Sequence, residues 1–206
     1  MKKRISEFIE LGGACSKIGS GVTPRDGDAT YLEDGVALIR SQNVYNAEFS
    51  VGGLAFIGNE QAETMAGVTV VARDGLLNIT GDSVARACVV PESVLPARVN
   101  QHVAIIRTNP ESIDSRHLMY HLVSPYMQAF MLSVAASGGT RKALTKAMIT
   151  GFKIPDLLVE EQRKIADTLS AYEDLIENNQ RRIQLLEQSA RLLYKRCRGP
   201  RGTTIG

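Results

Sequence analysis

The sequence predicts a mixed α and β fold (class α+β), in which one globular domain with several short strands is followed by a single long helix. Before Pro155 the chain is rich in glycine, and short apolar runs alternate with Asp-Gly and Gly-Gly turn signals. From Val159 to Arg196 there is no glycine or proline, which is typical of one continuous helix. We therefore predict a globular domain over residues 1–155, a spacer and dimerisation helix over 156–198, and a flexible tail over 199–206.

Strands come before helices in the predicted globular domain. Apolar runs rich in β-branched residues predict strands at 36–39, 68–72, 75–79, 85–90 and 102–107. A helix is expected from Ser115 to about Ser133, broken or kinked near Pro125, because proline cannot continue a helix without losing a hydrogen bond.

The long helix carries an apolar stripe whose members step alternately by four and three residues. The stripe consists of Ile165, Leu169, Tyr172, Ile176, Asn179, Ile183, Leu186, Ala190 and Leu193. This is the heptad spacing of a coiled coil, interrupted by one polar residue near its centre. A long amphipathic helix lying on its own domain would show the same stripe, but so small a domain can hardly cover a helix of about 55 Å. Acidic residues concentrate in the first half and basic residues in the second, which favours antiparallel pairing with a second helix.

Composition excludes several classes of protein. The net charge of +2 and pI of about 8.4 are only mildly basic, below the pI of about 9 of an obvious nucleic-acid-binding domain. Three cysteines without CxxC spacing argue against a disulfide framework or a zinc ribbon. Neither a signal peptide nor an apolar run of about 18 residues is present. We expect a soluble cytoplasmic protein with no membrane partner, and Met1 favours a complete gene product.

Sequences that resemble catalytic or cofactor motifs are incomplete. In Gly19-Ser-Gly-Val-Thr-Pro24, proline replaces the third glycine of a dinucleotide-binding loop. Gln162 stands where a nuclease would need an acid before its lysine. His117 and His121 share a helix face, as metal ligands can, but no third ligand is evident, so a solvated or core-edge pair explains them better. We expect no catalytic residue, no cofactor and no metal, and hence a non-catalytic protein.

Three polar segments are suited to DNA. Residues 137–146 contain three cations, no acid and two consecutive glycines, a composition that suits phosphate oxygens. Residues 40–43 and 98–102 hold arginine, asparagine and glutamine, which bond guanine or adenine edges bidentately. Ordinary exposed loops can have the same composition, and that alternative stays open. The predicted DNA contacts are Arg25, Arg40, Gln42, Asn43, Arg98, Asn100, Gln101, Thr140, Arg141, Lys142 and Lys146.

Several of these segments resemble one known family. The run Ile18-Gly-Ser-Gly-Val-Thr-Pro24 is similar to the GxTP opening of target-recognition domains in Type I restriction–modification specificity subunits, and Asn100-Gln-His102 resembles their NQH segment. Ser137-Gly-Gly-Thr-Arg-Lys142, Ile154-Pro155 and Glu160-Glu-Gln-Arg-Lys-Ile165 resemble their closing pattern, which leads into a conserved helix. The order and spacing of these segments match over nearly the whole chain.

The resemblance implies a recognition domain for double-stranded DNA and a helical spacer that packs antiparallel against a second helix. It also implies methyltransferase subunits as partners and a separate motor–nuclease restriction subunit for cleavage. Family members usually carry two recognition domains and two such helices, whereas this sequence has one of each. It therefore resembles a half-length subunit, natural or from a truncated gene, and we expect a homodimer through the helix. Two alternatives are a detached recognition module of a single-chain restriction–methylation enzyme and a coiled-coil adaptor that binds no DNA.

Overall fold

The computed structural model describes residues 8–24, 31–137 and 142–197. In these residues it contains ten β-strands and five α-helices, which confirms the mixed α and β fold. The strands are β1 (Phe8–Glu10), β2 (Cys15–Ser20), β3 (Val36–Ile39), β4 (Ala55–Ile57), β5 (Thr69–Val70), β6 (Gly75–Asn78), β7 (Ala87–Val89), β8 (Ala97–Val99), β9 (Val103–Thr108) and β10 (Lys153–Pro155). The helices are α1 (Asn59–Thr64), α2 (Ser115–Val123), α3 (Pro125–Ala136), α4 (Lys146–Thr150) and α5 (Val159–Cys197).

The chain divides into two compact units, residues 1–163 and residues 164–206. We call the first unit the body and the second the helical unit. The first turn of α5 belongs to the body, and the rest of α5 forms the described part of the helical unit. The functional boundaries at residues 155 and 198 stay predictions.

The body is built from two four-stranded sheets and a helical layer. One sheet has the antiparallel order β2-β9-β6-β7, and the other has the order β4-β3-β8-β5, in which β3 and β8 run parallel. Successive side chains of a strand point to opposite faces of its sheet. Accordingly, Leu76 and Ile105 pack into the cluster shared with the second sheet, whereas Leu77 and Ile106 pack into the cluster shared with α2 and α3. The sheet that contains β9 is therefore the middle of three layers.

The first turn of α5 is anchored to the body by one buried amide. Gln162 is 1% exposed, and its Oε1 accepts a hydrogen bond from the backbone N–H of Asp114 at 3.0 Å. Its Nε2 donates to the carbonyl oxygens of Ser112 and Leu157. A buried amide needs such partners to offset its desolvation, so Gln162 holds this turn in place.

Strands β1 and β10 form a separate two-stranded sheet that joins the beginning of the described body to the segment before α5. Lys153 Nζ donates to Glu10 Oε1 across this pair at 2.7 Å. That hydrogen bond and the lysine charge lower the pKa of the Glu10 carboxyl.

Most of the predicted elements are present, and three of the five predicted strands are shorter than predicted. The helix expected from Ser115 is two helices, because the hydroxyl of Ser124 caps α3 and Pro125 occupies its first position. The strand predicted at 68–72 is reduced to Thr69–Val70. There the Asp74 carboxylate accepts from the Val71 N–H and turns the chain. The strand predicted at 85–90 begins only at Ala87.

The long helix begins and ends close to its predicted limits, at Val159 and Cys197. Glu160 and Glu161 lie in its first turn, where carboxylates stabilise the positive end of the helix dipole. Every residue from 171 to 195 is exposed. Within the stretches that the structure describes, no helix combines the length and the apolar character needed to cross a bilayer.

Candidate nucleic-acid interface

One edge of the body collects the ends of six strands. β2, β3, β6 and β8 end there, and β7 and β9 begin there. Backbone hydrogen bonds join neighbouring ends: Asn100 N–H donates to the Ile39 carbonyl, and Ile79 N–H donates to the His102 carbonyl, both at 3.0 Å. We call this region the strand-end edge, and it comprises residues 20–24, 40–45, 79–86, 99–102 and 142–143. It brings the predicted DNA-binding segments into one region, although they are far apart in the sequence.

Two segments that resemble family motifs lie against each other at this edge. Gly21 N–H donates to the Val103 carbonyl at 2.9 Å, and Val22 N–H donates to the Val99 carbonyl at 3.3 Å. Gly21 is buried, and a Cβ atom there would overlap the carbonyl oxygens of Val99 and Asn100. Only glycine permits this approach of two backbones.

A chain of side-chain hydrogen bonds shapes the turn between β8 and β9. Gln101 Nε2 donates to His102 Nε2 at 3.0 Å. The hydrogen of this imidazole therefore lies on Nδ1, which donates to Thr80 Oγ1 at 2.7 Å. Asn100 is 8% exposed, and its Oδ1 accepts from the His102 backbone N–H. Asn100 thus stabilises the turn, while Gln101 remains half-buried at the edge.

The structure corrects the prediction for Asn43. Its side chain is fully buried. Oδ1 accepts from the Arg40 N–H at 3.0 Å, and Nδ2 donates to the Ser50 carbonyl at 2.9 Å. Because both amide atoms satisfy backbone groups inside the protein, neither is left for a base edge, and Asn43 has a structural role instead.

The neighbours of Asn43 keep accessible side chains. Gln42 is exposed, and its Nε2 donates to the Gly53 carbonyl at 3.0 Å. Arg40 is half-buried; its Nη2 donates to the same carbonyl at 2.7 Å, and its guanidinium lies over the Tyr31 ring, 5.0 Å from the centroid. Both lie at the strand-end edge, and each already donates to the backbone.

Arg98 lies within β8 rather than beyond its end. Its Nε donates to the Ala62 carbonyl at 3.0 Å, and its Nη1 donates to the Ala97 carbonyl at 3.1 Å. Burial lowers the pKa of this guanidinium. These contacts tie β8 to α1, a role that the sequence pattern did not predict.

The predicted phosphate-binding segment also reaches the strand-end edge. Lys142 is exposed, and its carbonyl accepts from the Gly81 N–H at 3.2 Å. Ala143 pairs with Thr80 in an isolated β-bridge. Lys146 is exposed at the first residue of α4. The other predicted members, Arg25, Thr140 and Arg141, lie outside the described residues.

A cleft of about 400 Å³ opens at the strand-end edge, between the turns at 41–45 and 80–86. Most of the residues that line it have polar side chains; they are Ser41, Gln42, Tyr45, Thr80, Gly81, Asp82, Ser83, Arg86 and His102. Of these cleft residues, only Gln42 is among the DNA contacts that the sequence predicted. Arg86 was missed because it falls in an apolar run predicted as a strand, whereas the strand begins one residue later. The preceding Gly81-Asp82 turn signal was the clue that Arg86 follows a turn.

Burial changes the acid–base properties of two cysteines and two histidines elsewhere in the body. Burial raises the pKa of the Cys15 and Cys88 thiols to about 12, so both stay protonated and weakly nucleophilic at neutral pH. Burial also lowers the pKa of His117 and His121. No cluster of three or more metal-ligating side chains forms among the described residues.

The strand-end edge offers amide groups, hydroxyls and cations around a polar cleft. These are the groups with which proteins bond phosphates and base edges. Together with a mixed α and β body and a long exposed helix, they define the class of nucleic-acid-recognition proteins.

Family comparison identifies the protein further. The model of the Type I restriction modification DNA specificity domain matches residues 6–188. The chain therefore belongs to the family of Type I restriction–modification DNA specificity domains, as the sequence motifs predicted. Members of this family are specificity proteins rather than catalysts.

Individual relatives agree with this assignment. A Methanocaldococcus jannaschii protein described as a putative type I restriction enzyme MjaX specificity subunit is 31% identical over 91 residues, which are 44% of this chain and 21% of that protein. A chain solved in work on complex assembly and conformational transition of the type I R-M system has a TM-score of 0.64 at 20% identity, covering 90% of this chain and 43% of that one. For the HsdS subunit from Thermoanaerobacter tengcongensis the TM-score is 0.58 at 18% identity, and the match covers 82% of this chain and 38% of that one. The match thus spans about a fifth of the curated relative and less than half of each solved chain, and the solved chains share the fold.

Proposed function

We propose that this protein reads one half of a bipartite DNA target through the strand-end edge, pairs with a second copy through α5, and docks the methyltransferase subunits of a Type I restriction–modification system. A motor–nuclease restriction subunit would supply cleavage. The exposed heptad stripe of α5 carries the proposal, because an apolar stripe with this spacing is suited to packing against a second long helix.

The stripe is apolar and open to solvent in the single chain. Exposed fractions are 40% for Ile165, 56% for Ile183 and 63% for Leu193. Removing apolar surface from water stabilises an assembly by about 25 cal/mol per Å². A second copy of α5 would cover the stripe along its whole length with the knobs-into-holes packing that heptads favour.

Charge favours an antiparallel arrangement of the two helices. Acidic side chains precede Asn179 and basic side chains follow it: Glu173, Asp174 and Glu177 on one side, and Arg181, Arg182 and Arg191 on the other. Antiparallel pairing places these groups opposite each other, whereas parallel pairing opposes like charges. The twofold axis would then cross the pair near Asn179, whose amide can bond across the interface and fix the register.

A second apolar strip on α5 supports docking of another subunit. Leu185 and Leu192 are 54% and 67% exposed. Each follows a stripe residue, Ile183 or Ala190, by two positions, which is about 200° around the helix. They therefore remain uncovered when the heptad stripe is paired, and they provide surface for a methyltransferase subunit.

The DNA contacts that we propose follow from the accessibility of the predicted residues. Lys142, with Arg141 before it in the chain, would hold backbone phosphate, while Arg40, Gln42 and Gln101 would face base edges. Arg98 and Asn100 support this surface from within.

Two identical chains related by a twofold axis read identical half-sites on opposite strands. The target should therefore be an interrupted palindrome. At about 1.5 Å per residue, the 39 residues of α5 rise about 58 Å. Divided by about 3.4 Å per base pair, this bounds the separation of the half-site centres at roughly 17 base pairs.

Long-read sequencing of methylated bases tests the proposal in cells that express this chain with the Type I methyltransferase of the same genome. We expect methylation at one interrupted palindrome, modified on both strands. Cells with the methyltransferase alone are the control and should lack that motif. An asymmetric bipartite motif would mean that a different half-length subunit completes the complex, and the homodimer would be rejected. Absence of any motif would favour the adaptor that binds no DNA.

A further inference from the structure

Three described arginines lie at or beside the strand-end edge, and their guanidinium groups differ in what they contact. Arg40 and Arg98 both donate to backbone carbonyls. Arg86 lines the cleft, and its guanidinium makes neither an ion pair nor a hydrogen bond with any residue that the structure describes. None of its five N–H donors is thus used by the described part of the chain, and they can bond a ligand.

The orientation of Arg86 is nevertheless fixed. Its guanidinium lies over the ring of Tyr45, 4.9 Å from the centroid, and Tyr45 is itself 41% exposed in the cleft. A planar cation stacked on an aromatic face loses less conformational freedom when it binds. The stack thus prepares Arg86 for a flat ligand edge.

The backbone that carries Arg86 is also constrained. Ala85, directly before it, has a φ of +75°, a left-handed conformation that costs a residue with a Cβ about 1 kcal/mol. Three hydrogen bonds hold this turn: Ala85 N–H to the Asn78 carbonyl, Asn78 N–H to the Arg86 carbonyl, and Gln128 Nε2 to the Ala85 carbonyl. Strain of this kind persists where the surroundings enforce it, and it concentrates at binding sites.

We infer that Arg86 is a guanine-reading residue of the half-site, with its guanidinium donating to O6 and N7 of one guanine and Tyr45 fixing the plane of the fork. The inference deepens the proposed function and rests on it. Guanine presents two adjacent acceptors in the major groove, which match the arginine fork. A phosphate is the competing ligand, but the exposed, unstacked Lys142 is better suited to it, whereas Arg86 is half-buried beside Gln42 and Ser83.

Selection from a library of randomised DNA duplexes tests this inference, using the full chain with the methyltransferase of its genome. The unaltered chain should enrich a defined motif that contains a guanine. With Arg86→Ala, the same motif should reappear with the preference for that guanine lost. Binding to the selected duplex should fall about 10- to 100-fold, as for loss of a bidentate base contact, while binding to random duplex stays unchanged. Tyr45→Phe keeps the stack and should keep the motif, whereas Tyr45→Ala should weaken the same guanine preference.

Two further variants separate the possible outcomes. Lys142→Ala should weaken binding to every duplex and reduce the salt slope by about 0.9, with the motif intact. Arg73→Ala is the control, because Arg73 is an exposed arginine that itself has a left-handed φ of +68° and lies just before the start of β6, at the opposite end of that strand from the strand-end edge. It should change neither motif nor affinity. If Arg86→Ala behaves like Lys142→Ala or like Arg73→Ala, the inference is overturned while the proposed function stands. If the unaltered chain enriches no motif, the proposed function is rejected and the inference with it.

Discussion

The body and the helical unit differ in how far their apolar residues are exposed to solvent. In the body, Leu38, Leu77 and Ile105 have no exposed surface, and two clusters of buried residues fill the spaces between the layers. In α5, every residue from 171 to 195 is exposed, including the leucines and isoleucines of the heptad stripe. The body therefore completes its core within one chain, whereas the helical unit leaves its apolar stripe for another surface. Stability of the body should be independent of protein concentration, and order in the helical unit should depend on it.

Placing a charge in the heptad stripe should have the largest of the predicted effects, and it should act on pairing through the helical unit rather than on the body. We expect the unaltered protein to be a dimer at micromolar concentration and the double variant Leu169→Glu, Ile183→Glu to be a monomer, because pairing would bury unpaired carboxylates. Multi-angle light scattering measures the masses. The thermal unfolding midpoint of the body should not change. Leu185→Glu, outside the stripe, is the control and should remain dimeric. A monomeric mass for the unaltered chain would contradict the proposed pairing.

Breaking the buried ion pair between Arg107 and Asp74 should give the next largest effect, and this effect should be confined to the body. Arg107 binds the Asp74 carboxylate with two hydrogen bonds of 2.8 Å, and the Asp74 side chain is fully buried. Arg107→Met leaves a buried carboxylate without its cation and should lower the free energy of unfolding by about 3–5 kcal/mol.

The matched control is the Lys153–Glu10 pair, which is similarly short at 2.7 Å but 61% exposed on both sides. Lys153→Met should leave the free energy of unfolding nearly unchanged, because solvent screens an exposed pair. Urea unfolding followed by circular dichroism measures both variants. Equal losses would show that burial does not govern the strength of these pairs, and neither variant should alter the dimer mass.

Acid should weaken the body by a smaller amount and leave the stripe untouched, because all three histidines lie in the body. Burial lowers the pKa of His117 and His121 from the ordinary value of 6.5. Below pH 6.5 the unfolded chain therefore binds more protons than the folded body. The stability that the two neutral, buried histidines allow is complete above pH 6.5, and it declines as the pH falls below that value.

Urea midpoints at about pH 7.5 and about pH 5.5 measure this effect. The double variant His117→Gln, His121→Gln should show a smaller loss between the two conditions than the unaltered protein. An identical loss in both proteins would assign the acid sensitivity to other groups.

Local sequence signals predicted the fold to different degrees in these two regions. The limits of α5 were predictable because acidic residues at its start, basic residues at its end and the absence of glycine and proline are all local features. Strands β1 and β10 were missed because each has three residues, and Phe8 pairs with Pro155 from the opposite end of the body. The parallel pairing of β3 with β8 likewise depends on contacts that no single segment encodes.

Prediction of the candidate site had a similar limit. Residue type correctly suggested which segments are polar, but it could not show which polar atoms the backbone already uses. Asn43 was predicted as a base reader, yet its amide satisfies backbone groups in the buried interior. Arg86 was overlooked because it lies in an apolar run. Only the turn at residues 80–86, as it is placed in the folded body, brings Arg86 into the cleft. Arg25, Thr140 and Arg141 stay predictions.

The close approach at Gly21 indicates how the target preference of this protein could be re-engineered. The hydrogen bonds from Gly21 to Val103 and from Val22 to Val99 use backbone atoms alone, so they should tolerate changes of side chain in the neighbouring turns. The accessible positions 41, 42, 45, 82, 83 and 86 could therefore be exchanged as interchangeable cassettes, while the buried Asn43, Val44, Val84 and Ala85 and residues 18–24 and 99–103 are kept as a fixed frame. A library varied only in the two cassettes would sample new half-sites on an unchanged scaffold. Because both bodies of a homodimer carry the same cassettes, each single exchange would rewrite both halves of a palindromic target at once.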